Sequence, residues 1–273
     1  MADPVIHYTF DTDGTNSGTL GSSSDITLGT TTIDTTNKLI GTGSVSSPEY
    51  TPNGAGVPQF DYNTGTTGTT ISFWAKFNSS TGGNRFIYTS HESPGVNSYV
   101  DMDTLWLTSS TSMTYYGHSS SQTITSPNSL YDNNWHHFVI TCSGGASRTV
   151  SVYLDNSILS STLSTTGLAD NTVQRLWLGA CNYGAASGGN RGMYGYIDDM
   201  RIYNYAANAT FVDYIYKLGS NTDVASLSGA TMSNLQNAGA TLSQLITAGV
   251  SVADLLAAGF TQFDIDIRRT QIK

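Results

Sequence analysis

The residues that could do chemistry in this chain are few, and most are badly spaced for it. Only two glutamates occur in 273 residues, Glu49 and Glu92, both in loop-like surroundings. Cleaving a glycosidic bond takes two carboxylates facing one another across it, and no strand here reads Glu-x-Asp-x-x-Glu. Asp198 and Asp199 come nearest, but they are adjacent in an alternating run, and a strand sends consecutive side chains to opposite faces. His136-His137, beside Trp135 and close to Asp132, suggests a base or a metal ligand. The same divergence applies to that pair, and no Gly-x-Ser-x-Gly turn supplies a nucleophile, so a packing role is expected and no enzymatic activity.

The elements that would position these residues are strands. Gly195 to Ala206, GYIDDMRIYNYA, alternates Tyr196, Asp198, Met200 and Ile202 against Ile197, Asp199, Arg201 and Tyr203. Val5–Phe10 alternates in the same way, and Thr69–Phe77 (TTISFWAKF) reads as a central strand. Arg85–Thr89, Tyr99–Leu107 and Met113–Tyr116 read as shorter strands between Ser/Gly/Asn/Pro loops. Asn133–Cys142 (NNWHHFVITC) and Thr149–Asn156 (TVSVYLDN) form a hairpin across a Gly-rich link, with Asp155-Asn156 as the next turn.

Composition agrees with a sandwich of strands. Charged residues make up 11%, and Gly, Ser, Thr and Tyr are abundant. A net charge of −9 without a basic stripe argues against a nucleic-acid partner. No apolar run is long enough to span a bilayer, and Met1-Ala2-Asp3-Pro4 does not begin a signal peptide. A surface, extracellular or virion setting is favoured, although the compartment stays open. Cys142 and Cys181 are compatible with one bridge or with two buried thiols. Asn208 is placed to cap a helix over Ala209–Tyr216.

Several segments carry a resemblance to LamG-like, concanavalin A-type jelly rolls. They are the FDTDGTNSG opening turn, KLIGTGSV (Lys38–Val45), the Trp-His-His strand with its hairpin partner, RLWLGA (Arg175–Ala180) and the closing IDDMRIYN. The resemblance reaches to about Leu218 and implies an all-β, two-layer antiparallel jelly-roll β-sandwich whose first and last strands are neighbours. It also implies a rim calcium site, for which Asp11, Asp13, Asp198 and Asp199 are the candidates. The competing reading is that such an aspartate accepts backbone bonds at a turn. A lectin surface needs aromatic faces beside amide and charged partners, and Tyr115, Tyr116, His118, Tyr183, Asn190, Arg191 and Tyr194 are candidates in or beside the long loops.

Residues 1–218 therefore form the jelly-roll domain and 219–273 a small α-helical repeat tail. In the tail, TMSNLQNAGA, TLSQLITAGV and SVADLLAAGF follow one another at ten-residue spacing, with a degenerate fourth copy, TQFDIDIRRT, from Thr261. In each unit Thr or Ser caps a short helix, an Asn, Gln or Asp three residues on closes a capping box, and Gly239, Gly249 or Gly259 stops it. Stacked short helices are favoured over one long helix, because each internal glycine would cost about 1 kcal/mol. The expected function is non-catalytic: a carbohydrate- or glycoprotein-binding module, with residues 221–273 docking onto protein or self-associating. The alternatives are a structural component of a virion, fibre or matrix, and a degenerate glycoside hydrolase.

Overall fold

A computed structural model describes residues 4–29, 31–47, 55–56, 68–78, 85–91, 102–117, 120–144, 147–166, 175–179 and 192–219, and in the tail 242, 252–257, 259–262 and 264–266. The chain divides into two compact units, Pro4–Ala207 and Asn208–Lys273 together with Met1–Asp3.

Among its described residues the first unit has fourteen strands in two antiparallel sheets. In chain order they are β1 (Ile6–Tyr8), β2 (Thr32–Asp34), β3 (Ser44–Ser47), β4 (Ala55–Gly56), β5 (Thr69–Phe77), β6 (Arg85–His91) and β7 (Met102–Ser109). Then come β8 (Ser112–Gly117), β9 (Ser120–Thr125), β10 (Trp135–Cys142), β11 (Ser147–Leu154), β12 (Ser157–Thr166), β13 (Arg175–Leu178) and β14 (Gly195–Tyr203). The larger sheet runs β12-β11-β10-β5-β14-β3-β2, with β1 also paired to β14; the smaller runs β4-β13-β6-β7-β8-β9.

The expected jelly-roll sandwich is present, and its terminal strands pair through Ile6 with Ile202 and Tyr8 with Met200. β5 is central, and every residue in it except Lys76 is buried. One side chain of each alternating pair fills the space between the sheets, where Phe73 stacks on Phe138 at 5.4 Å and meets Tyr88 of the other sheet at 6.3 Å.

Two longer strands, β9 and β12, lie outside the sequence reading. Both are Ser/Thr-rich and stand at the ends of the sheets formed by the described residues, positions that carry little of the apolar alternation that betrays a buried central strand. The β11–β12 turn is the expected Asp155-Asn156, with φ of 47° and 65°, the left-handed pair that a two-residue hairpin requires.

In the second unit α1 (Ala209–Gly219) starts where Asn208 Oδ1 accepts the Phe211 N–H at 2.9 Å, and Lys217 bonds Asp213 one turn back. Further on, α2 (Val252–Ala257) ends at Gly259, whose φ is 91°. Thr261 Oγ1 accepts the Asp264 N–H at 3.2 Å and donates to the Asp264 carboxylate, while Leu255 and Ile265 are fully buried. The caps expected in the three earlier repeats, Thr231, Thr241 and Ser251, lie outside the described residues. Among the described residues no helix is long and apolar enough to cross a membrane.

Candidate functional site

β14 pairs with β5 along one side; on the other, β3 takes Gly195–Ile197 and β1 takes Met200–Ile202. Where the two partners meet end to end, β14 bulges. Asp198 faces Trp74 and Arg201 faces Ser72, so Asp199 and Met200 together oppose one residue, and Asp199 has φ 45°.

The bulge overturns the expectation that the two aspartates diverge. Ile197, Met200 and Ile202 stay in the core, while the Asp199 carboxylate meets His7 and Arg201, which pair on the outer side. Asp199 Oδ1 lies 2.8 Å from His7 Nε2, 3.1 Å from Arg201 Nε and 2.9 Å from Arg201 Nη2. Burial alone would raise its pKa, but the guanidinium charge and then the His7 bond outweigh it and bring it down to about 2.

Asp198 is completely buried. Its Oδ2 accepts the N–H groups of Leu39 (2.8 Å) and Ile40 (3.0 Å), and its Oδ1 accepts that of Asp199 (2.8 Å). Burial lifts its pKa to about 6 against the pull of those donors, so it remains a carboxylate at neutral pH.

Asp11 accepts the N–H of Thr42 and sits 3.2 Å from the Thr42 hydroxyl, and Asp13 accepts the Thr15 N–H in its own exposed turn. Asp11 and Asp198 thus clasp one loop, residues 39–42, from two directions. This donor set does not fit calcium. Asp198 is filled by N–H donors, Asp199 already faces an internal cation, and Asp13 turns into its own loop. Among the described residues no group of three His, Cys, Asp or Glu is arranged to hold a metal ion.

The aromatic candidates separate. The alternation of β8 sends Met113 and Tyr115 into the core, where Tyr115 is 3% exposed, so it cannot offer a face to a sugar. Tyr116 takes the other side of the sheet and is partly exposed. Tyr194, also partly exposed, lies under the Arg85 guanidinium, 5.8 Å from its ring centroid. His118, Tyr183, Asn190 and Arg191 lie outside the described residues, as does Cys181; Cys142 is partly buried.

Sequence reasoning passed over two rings. Trp135 and Tyr196 reach the outer side of the larger sheet and meet at 6.4 Å with an interplanar angle of 54°. Each looked like one member of an alternating strand, and nothing in the order of residues said that both would flank Lys76.

A family profile described as the concanavalin A-like lectin/glucanases superfamily matches residues 41–213, more than half of the chain. The chain belongs to that superfamily. No curated protein matches the sequence.

Among solved structures this superfamily member is similar to the receptor-binding domain of botulinum neurotoxin type G, with TM-score 0.52, 15% identity and 80% of this chain covered. It spans about half, 51%, of that domain. Domain 4 of AbnA, an extracellular arabinanase from Geobacillus stearothermophilus solved with arabinotriose, matches at TM-score 0.51 and 18% identity, over 82% of this chain and 98% of that one. The botulinum serotype D ligand-binding domain with N-acetylneuraminic acid matches at TM-score 0.54 and 11% identity, over 78% and 50%. At these identities the likeness is one of fold.

The His pair behaves as packing in this superfamily member. His137 is buried, its ring 4.7 Å from that of Trp74 and its Nε2 2.9 Å from Ser72 Oγ; burial takes its pKa down to about 3. His136 bridges Asp155 and Asp132, tying the loop before β10 to the β11–β12 turn.

Proposed function

We propose that the chain is a non-catalytic carbohydrate- or glycoprotein-binding module, with residues 221–273 as its assembly or anchoring segment. One observation carries this reading. Asp11, Asp198, Asp199, His136 and His137 are engaged in bonds that hold the fold, while aromatic rings of Tyr116, Trp135, Tyr194 and Tyr196 reach partly exposed positions. A rigid scaffold presenting aromatic faces suits stacking against sugar rings, and the aspartates it shows at the closing strand are occupied in holding the fold rather than paired across an open site. The neighbours lend support: an arabinanase domain solved with arabinotriose, and a botulinum neurotoxin whose cell entry depends on two ganglioside molecules.

A glycan array probed with the full chain, paired with reducing-end assays on the polysaccharides it binds, tests the reading. Saturable binding without turnover is the expected result. Release of new reducing ends would transfer the chain to the hydrolases, and binding to no glycan would overturn the reading.

A structural role in a particle or fibre is favoured by one feature, β12. It is a ten-residue, uncharged edge strand with Ile158 52% exposed, the kind of edge that pairs with another chain. Light scattering on the full chain and on a chain ending at Gly219 checks both assembly ideas. Loss of oligomers on truncation points to the tail, and their persistence points to the sandwich.

A further inference from the structure

We propose that the outer face of the larger sheet carries a binding row for a neutral glycan chain, centred on Trp135, Lys76 and Tyr196 and continued by Ser46 and Thr32. The proposal rests on the glycan-binding reading above and adds the place and the ligand class.

The row comes directly from the register. Trp135 pairs with Lys76, Lys76 with Tyr196, Tyr196 with Ser46, and Ser46 with Thr32, so the five residues stand side by side across β10, β5, β14, β3 and β2. Adjacent strands lie about 4.8 Å apart, so the row is about 19 Å long, enough for several sugar rings. Trp135, Lys76, Tyr196 and Ser46 are partly exposed and Thr32 is exposed. Two residues further along the strands, His137, Trp74 and Asp198 form a parallel row that is fully packed. The binding row therefore stands on a fixed base, and little ordering entropy remains to be lost on binding.

Its chemistry is that of a sugar site. Trp135 and Tyr196 flank Lys76 from two strands that lie about 10 Å apart, yet their rings approach to 6.4 Å, so they converge toward one another across the strand between them. Lys76 Nζ reaches Asn37 Oδ1 at 3.3 Å, which puts an ammonium and an amide next to the rings as partners for hydroxyl groups.

Charge selects among glycans. Asp34 lies within electrostatic reach of Lys76 and shares Asn37 with it, so the one cation of the row is balanced locally. The whole chain carries −9. A sialylated or uronic-acid glycan would meet no net positive field, whereas uncharged rings with hydroxyls meet stacking faces and donors.

The test is titration calorimetry on the full chain with linear arabinan, xylan and mixed-linkage β-glucan as neutral probes, and with polygalacturonate and sialyllactose as acidic ones. The expected result is binding to at least one neutral probe, changing little between about 50 mM and about 500 mM NaCl. Trp135→Ala and Tyr196→Ala should each weaken it about tenfold or more. Lys76→Met keeps the stem and removes the donors, so it should weaken binding less; with Tyr196→Ala it carries the test if Trp135→Ala loses its near-ultraviolet circular dichroism. Unchanged affinity in folded variants would overturn the row and leave the binding module standing. Binding confined to the acidic probes would overturn the ligand class. Wild-type binding to none of the five would overturn the row as a neutral-polysaccharide site, and the glycan array then decides separately whether the binding module stands.

Discussion

His136 Nδ1 lies 2.7 Å from Asp155 Oδ2, and the opposite ring nitrogen lies 3.1 Å from Asp132 Oδ1. A neutral imidazole has one N–H to give, so only the charged ring satisfies both carboxylates. Burial alone would depress this pKa, but Asp155 and then Asp132 overcome it and raise the value above 6.5. A histidine raised in the folded state contributes stability that is complete below its unfolded value and fades as pH climbs through the folded one. His136→Asn should therefore lower Tm more at about pH 6 than at about pH 8. Thermal melts of both proteins at both pH values check this; an equal gap at each would refute it.

The Asp199 to Arg201 pair is largely buried, and removing the Asp199 charge leaves the guanidinium without its carboxylate partner. Asp199→Asn should cost about 3 kcal/mol in urea unfolding. The Asp199 carboxyl falls from 3.8 unfolded to about 2 folded, so its contribution is present above about pH 4 and lost as pH drops toward about 2. The Asn variant should lose the acid-induced fall in that window. Asp198 acts with the opposite sign, because between 3.8 and about 6 the folded state takes up the proton more readily.

Gly41 sits at φ 64°, and a Cβ there would run into the Asp11 carboxylate that anchors Thr42. Gly41→Ala combines backbone strain with that collision and should destabilise by about 2 kcal/mol. Adding Asp11→Ala relieves the collision, so the double variant should unfold at a higher urea concentration than additivity predicts.

The committed oxygens of Asp11, Asp198 and Asp199 lead to a direct expectation for metal. Tm in about 1 mM calcium and in excess EDTA should agree within about 1 °C. A shift of several degrees would place a calcium site in this protein and refute the expectation.

Much of the fold was legible because burial leaves its period in the order of residues. β5, β10 and β14 could be read from alternation alone, and the Asn208 cap and the Asp155-Asn156 turn from the local hydrogen bonds and dihedrals those residue types favour. β9 and β12 could not, since edge strands bury too little to leave such a trace.

The sequence by itself determined the individual strands, through alternation, and the scarcity of catalytic groups, through residue type; the two-layer architecture and the pairing of the first strand with the last were implied by its resemblance to LamG-like jelly rolls. Only the tertiary structure decided that Asp198 and Asp199 share the outer side, that Tyr115 is core, and that Trp135, Lys76 and Tyr196 stand in one row. Those facts depend on a one-residue bulge and on register between strands more than a hundred residues apart in places, and a register is set by how whole strands pack against one another.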